Sequence, residues 1–249
     1  GECELVLVAR PGMCKPDGAL TCFEGLLLWN HPRRGFFGMA ELLHLAKATG
    51  LIVPLGDWVL FTACEEARRW QGGAAPRVSV NLSQQEFTRQ DLAERVIETL
   101  NRTGLEPNQI DLEVTEGALL RAENGRADLE SLKELGVGLV LDDFGTGYSA
   151  LGYLRRFHID TLKIDRSFIN EVPDNADDAR VASALVAIAG SLGLRVTAEG
   201  VETAEQLAFL QEVGCDEAQG FLFSPPLPAA DFRAWLAAES APSPLARPA

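Results

Sequence analysis

The strongest constraint in the chain is an end-to-end alternation of eight short strand-like runs with helix-like segments. The strand-like runs fall at residues 5–9, 20–29, 78–81, 110–114, 138–141, 161–164, 195–198 and 217–220. Most are aliphatic or β-branched and end in Gly, Asp or Asn. Helix-like periodicity covers 39–49, 57–71, 91–102, 121–135, 148–157, 176–192, 204–213 and 229–238. Gly50, Gly104 and Gly193 supply stop signals at three of these ends. Eight β–α alternations within 249 residues predict one α/β domain, a TIM-type (β/α)8 barrel. An open doubly wound sheet is the alternative, but no GxGxxG follows the first strand. The barrel is expected over 1–239, and the Ser-, Pro- and Ala-rich residues 240–249 read as a loose tail.

Charge narrows the partners. With 22 basic and 36 acidic residues the formal net charge is −14. A nonspecific grip on a nucleic acid polymer needs surplus Lys and Arg, so that role is excluded, and direct contact with an anionic membrane is disfavoured likewise. An anionic small ligand would have to be held by bound cations or a few placed basic groups. Five cysteines, with no CxxC pair, argue against a zinc ribbon or disulfide scaffold and for reduced thiols in the cytoplasm. No run is long and apolar enough for a membrane span, and no signal-peptide pattern opens the sequence.

The unusual polar residues cluster at strand ends. Glu24 interrupts an apolar run between Phe23 and Gly25; Asn81 ends the third strand and Glu113 lies near the end of the fourth. Asp142 and Asp143 follow the fifth, Lys163 and Asp165 mark the end of the sixth, Glu199 and Glu202 follow the seventh, and Gln219 lies near the end of the eighth. A barrel brings strand ends together at its C-terminal mouth, where barrel enzymes keep their active sites. Any one strand-end Asp or Asn is ordinary turn chemistry. A Glu or Lys inside an apolar strand is not, because burial of an unpaired charge is costly. Carboxylates crowded together repel unless cations bridge them, and an oxygen-only set suits Mg²⁺ or Mn²⁺. The set predicts metal-assisted phosphodiester hydrolysis, with an adjacent Asp pair able to serve two ions.

Seven segments carry a resemblance that spans nearly the whole chain: Glu24-Gly25-Leu26, Val80-Asn81-Leu82-Ser83, Glu113-Val114-Thr115-Glu116, Asp142-Asp143-Phe144-Gly145-Thr146-Gly147-Tyr148-Ser149, Lys163-Ile164-Asp165, Glu199-Gly200-Val201-Glu202-Thr203 and Gln219-Gly220-Phe221. In this order they resemble the EAL domain family of cyclic diguanylate phosphodiesterases. The resemblance implies a barrel with one early antiparallel strand, and hydrolysis of cyclic diguanylate (c-di-GMP) to linear pGpG with two Mg²⁺ or Mn²⁺ ions. It also implies Glu24, Asn81, Glu113 and Asp142 as ligands of one metal, Asp142 and Asp143 as ligands of the second, and Gln219 holding a metal-bound water. Lys163 would orient or help deprotonate the attacking water, and Glu199 would be a further metal-associated or general-base group. Glu116 and Glu202 would support the loop from Asp142, with Gly145 and Gly147 giving that loop freedom to move. Homodimers are common in the family, as are fusions to further domains.

Two positions depart from the family pattern. Where a phosphate-gripping Arg usually follows the motif Glu by four residues, this chain has Leu28, and the family's Gln-Pro reads Arg10-Pro11. Losing such an Arg costs about 1.5–3 kcal/mol, and Arg10 is expected to restore part of that contact. The substrate-side positions are thus Arg10, Leu28 and Asp165. These departures keep open a regulatory module that binds the dinucleotide without turnover, and a protein-interaction platform is a third reading.

Overall fold

The structure, a computed structural model, describes residues 4–14, 19–31, 35–37, 39–70, 76–87, 89, 91–120, 126–145, 154 and 157–239. Strands β1 (Glu4–Cys14) and β2 (Ala19–His31) form a long antiparallel pair that places Arg10 opposite Glu24. From β2 the sheet continues in parallel through β4 (Arg77–Asn81), β5 (Ile110–Thr115), β6 (Gly138–Phe144), β7 (Thr161–Ile164), β8 (Arg195–Glu199) and β9 (Glu217–Gln219). Strand β9 then pairs antiparallel with β1 and closes the ring. The eight strands match the eight runs read from the sequence, and β1 is the one that runs against the others. Two short strands lie outside the ring: β3 (Gly35–Phe37) on β2 and β10 (Leu227–Pro228) on β1.

Helices α1 (Met39–Thr49), α2 (Ile52–Arg69), α3 (Gln84–Phe87), α4 (Leu92–Thr103), α5 (Glu116–Leu120), α6 (Arg126–Leu135), α7 (Ala176–Ser191), α8 (Ala204–Glu212) and α9 (Ala229–Glu239) complete the described elements. Their ends follow local chemistry. Thr203 and Gln206 form a reciprocal capping box on α8, Asn175 caps α7, and Gly104 closes α4 in the left-handed conformation.

Most of the apolar core lies outside the ring, between strands and helices. Val78, Val80, Ile110, Leu112, Val114, Leu139, Leu141, Leu162, Ile164 and Val196 are each no more than 2% exposed. Each such burial contributes roughly 1.5–3 kcal/mol. The alternate residues of the same strands point inward and are mostly polar, whereas barrel interiors are usually filled with branched aliphatics. Phe23, Trp70 and Phe232 pack with ring centroids 4.2 to 5.4 Å apart, fixing α2 and α9 to β2.

Several boundaries differ from the sequence expectation. Strand β1 runs on through Pro11 instead of stopping at residue 9. Pro11 is tolerated because it falls where β1 passes from its β10 partner, at Val8–Ala9, to its β9 partner, at Gly12–Cys14. Helix α2 starts at Ile52, before the expected residue 57, because Pro54 sits in the first turn, where no amide bond is lost. In the expected helix 121–135, α6 begins at Arg126 and residues 121–125 lie outside the described residues. Of the expected helix 148–157, only Leu154 and Phe157 are described. Residues 240–249 lie outside the described residues as well.

Candidate active site

Lys163 organises the mouth. It is 3% exposed, and its Nζ lies 2.6 Å from Glu199 Oε1, 2.8 Å from Glu113 Oε2, 3.6 Å from Asp142 Oδ1 and 3.8 Å from Glu24 Oε2. Four strands thus deliver four carboxylates to one ammonium. Burial opposes the charge on Lys163, but Glu113, Glu24, Glu199 and Asp142 outweigh it and hold the ammonium pKa well above its ordinary value.

Each carboxylate has its own environment. Asn81 Nδ2 donates to Glu24 Oε1 at 2.7 Å, and Gln219 Nε2 donates to Glu24 Oε2 at 2.8 Å. Burial would raise the Glu24 pKa, but Lys163, Arg10 and these two amides bring it below the ordinary value. Glu113 accepts from the Ser79 hydroxyl as well as from Lys163. Its burial, reinforced by the charges of Glu24 and Asp142, nevertheless pushes its pKa up to about 8. Glu199 is likewise raised by burial, with Asp142 and Glu24 adding to it against Lys163.

Asp142 and Asp143 meet the site by breaking strand regularity. Successive residues of a strand face opposite sides, so one of the two would ordinarily point away. The β6–β7 register shifts between Leu141 and Phe144, and Asp143 takes a left-handed φ of 55°. Asp tolerates that conformation better than most side chains. The Asp143 amide donates to Asp142 Oδ1 at 3.0 Å, and ligand oxygens of Asp142, Asp143 and Glu199 all lie within 4.8 Å of one another. Burial and then the Asp142 charge raise the Asp143 pKa. Repelling hard-oxygen donors at this spacing fit a divalent cation such as Mg²⁺ or Mn²⁺.

The remaining sequence-selected residues fall around this core. Arg10 Nη1 lies 3.4 Å from Glu24 Oε2 with its side chain 31% exposed. Leu28 is half-buried on β2, opposite Val6 of β1. Asp165 Oδ1 accepts from the Ser167 amide at 3.0 Å and caps the turn after β7. Glu116 is buried at the start of α5, and neither of its carboxylate oxygens has a hydrogen-bond partner among the described residues. Glu202 is exposed and enters the α8 cap only through its backbone amide, which donates to Gln206 Oε1 at 2.7 Å. Gly145 has φ 97°, and an added Cβ would press on the Phe168 ring. Gly147 lies outside the described residues.

The sequence reading missed Ser79 and a second polar cluster lower in the ring. There Arg77 Nε donates to Asp111 Oδ2 at 2.7 Å, Thr197 Oγ1 donates to Glu217 Oε2 at 3.0 Å, and Arg195 Nη1 lies 3.5 Å from Glu217 Oε1. Gly138 leaves the room that the Arg77–Asp111 pair occupies. The missed signal was periodic: Arg77-x-Ser79-x-Asn81, Asp111-x-Glu113, Thr161-x-Lys163 and Arg195-x-Thr197-x-Glu199 all place polar residues at every second position.

Comparison with known proteins places this geometry. A family profile described as EAL domain matches residues 1–226. The chain is 46% identical over 229 residues to the bifunctional diguanylate cyclase/cyclic di-GMP phosphodiesterase MucR of Pseudomonas aeruginosa, an alignment covering 91% of this chain and 33% of MucR. It is 44% identical to the cyclic di-GMP phosphodiesterase NbdA of the same organism, covering 94% of this chain and 30% of NbdA. With the cyclic di-GMP phosphodiesterase PdeR of Escherichia coli the identity is 37%, over 88% of this chain and 33% of PdeR. The chain therefore spans about a third of the length of these relatives. A solved PaMucR phosphodiesterase in complex with c-di-GMP superposes with a TM-score of 0.87 at 45% identity, covering 92% of this chain and 94% of that one. The EAL enzyme Bd1971, bound to cAMP and cyclic-di-GMP, gives 0.90 at 28% identity, covering 94% and 65%. Closed ring, site segments and relatives agree: the chain belongs to the EAL domain family.

Proposed function

We propose that this domain is a metal-dependent phosphodiesterase that hydrolyses cyclic diguanylate to linear pGpG. The observation that carries this reading is the Lys163 ammonium, 2.6 Å from Glu199 and 2.8 Å from Glu113, beside the paired carboxylates of Asp142 and Asp143. The phosphodiesterase names of MucR, NbdA and PdeR support it, as does the c-di-GMP complex of PaMucR.

Two Mg²⁺ or Mn²⁺ ions, when bound, would supply Lewis acidity and a more acidic attacking water. Glu24, Asn81, Glu113 and Asp142 would hold one ion, and Asp142 with Asp143 the other. Gln219 keeps Glu24 oriented and would help hold a metal-bound water. Lys163, held among these carboxylates, would orient the attacking water or help deprotonate it, and its charge would offset charge growing on the phosphate. Glu199, within 4.8 Å of the Asp142 and Asp143 ligand oxygens, would be a further metal-associated or general-base group. Glu116 and Glu202 would support the segment that follows Asp143, and Asp165 would line the substrate side. The cytoplasm is the proposed location. Among the described residues no helix is long and apolar enough to cross a membrane.

A binding module without turnover is the second reading, favoured by the aliphatic Leu28 on the substrate side. Chromatography of c-di-GMP incubated with the protein and Mg²⁺ or Mn²⁺ decides between them. Appearance of pGpG supports the enzyme; binding in Ca²⁺ with no product in either metal would overturn it in favour of the module.

A further inference from the structure

Glu24 is crowded with donors. Its Oε1 accepts from Asn81, while its Oε2 accepts from Gln219 at 2.8 Å and faces Arg10 Nη1 at 3.4 Å and Lys163 Nζ at 3.8 Å. These donors differ in mobility. Lys163 is buried and tied to three other carboxylates, whereas the Arg10 side chain is 31% exposed at the mouth and, among the described residues, held by one long ion pair. Among the described residues, Arg10 is the one arginine ion-paired to any of Glu24, Glu113, Asp142 and Glu199. Its position is fixed by register, since Arg10 lies opposite Glu24 across the β1–β2 ladder.

A divalent ion on Glu24 and the Arg10 guanidinium would both seek the same oxygen, and like charges that close repel. Freed from Glu24, a half-exposed guanidinium keeps its fork of donors and can grip a phosphodiester bidentately. On the phosphodiesterase reading, such a phosphodiester arrives at this mouth. We propose that Arg10 is a movable counter-ion: it neutralises Glu24 while the site lacks a divalent cation, and turns to a phosphate of the substrate when one binds. Arg10 thus competes with the metal and cooperates with the dinucleotide.

The opposite signs make the proposal testable with Arg10→Gln, which removes the charge and leaves a shorter polar side chain. Calorimetry with Mn²⁺ alone should show the variant binding the ion about two- to fivefold tighter than wild type, the worth of a partly exposed ion pair. Calorimetry with c-di-GMP in Ca²⁺ should show the variant binding about tenfold more weakly, the worth of a charge-assisted bond to phosphate. Arg10→Lys should restore most of the Mn²⁺ behaviour but only part of the dinucleotide affinity, because an ammonium lacks the fork. Both affinities falling, both rising, or either one unchanged in Arg10→Gln overturns the proposal. If wild type binds and cleaves c-di-GMP while the signs fail, only the proposal falls. If wild type binds Mn²⁺ but no dinucleotide, the phosphodiesterase reading falls and takes the proposal with it.

Discussion

The two levels of the barrel interior lie in one ring of strands but keep different charge accounts. Low in the ring, Arg77 faces Asp111 and Arg195 faces Glu217, two cations for two carboxylates. At the mouth, Glu24, Glu113, Asp142, Asp143 and Glu199 gather around Lys163, with Arg10 as the one further cation paired among the described residues. Among the described residues the lower level is balanced by its own two ion pairs, as a purely structural polar cluster would be. The upper level carries surplus negative charge in a buried setting, a state that proteins keep when something positive binds there. The difference sets a balanced polar cluster against an unbalanced one inside one fold.

The comparison breaks most visibly at Lys163. Lys163→Met should cut turnover of c-di-GMP by about 10²–10⁴-fold, the range of a positioned proton-handling group. Thermal unfolding should also show a loss in metal-free buffer that Mn²⁺ repairs, because the ion replaces the missing positive charge. Retained turnover would mean that the upper cluster is purely structural.

At the lower level the prediction is the reverse. Arg77→Met leaves Asp111 buried and unpaired and should cost about 3 kcal/mol of stability, read by denaturant unfolding. Adding Asp111→Leu should recover most of it, with kcat near wild type for both variants. A double variant that stays unstable, or a kcat that falls with the pair, would show that the lower cluster takes part in function.

Proton release sharpens the contrast further. Metal-free Glu113, its pKa pushed up to about 8, takes up a proton far more readily near neutral pH than an ordinary carboxylate, whereas metal ligation requires the carboxylate. Binding of Mn²⁺ at pH 7 should therefore release protons, measured by calorimetry in buffers of different ionisation heat. The apparent affinity should strengthen as pH rises, by at most about tenfold per unit for one displaced proton, and level off above about pH 8. A pH-independent affinity would remove Glu113 from the ligand set.

Much of this was legible in the residues alone. The eight runs were visible because their outward faces are aliphatic, and the acidic groups stood out because Glu24 and Lys163 break apolar stretches. Less legible was anything set by pairing across the ring. The continuation of β1 past Pro11 depends on which strand lies beside it at each point, and the Arg10–Glu24 pair depends on register. Ser79 looked like any strand serine until Glu113 lay beside it. The lower cluster was hidden for another reason: its residues sit mid-strand or at strand starts, away from the ends where function is ordinarily sought.

The backbone at Asp143 has a consequence for anyone who engineers this domain. A non-glycine residue at φ 55° carries a conformational penalty of about 1–3 kcal/mol, and this one also sits beside a second carboxylate. Asp143→Gly should raise the melting temperature while removing a proposed cation ligand, as scanning calorimetry and Mn²⁺ titration would show. Selection for heat tolerance alone would thus drift towards glycine here and return a sturdier barrel without the proposed second-ion ligand.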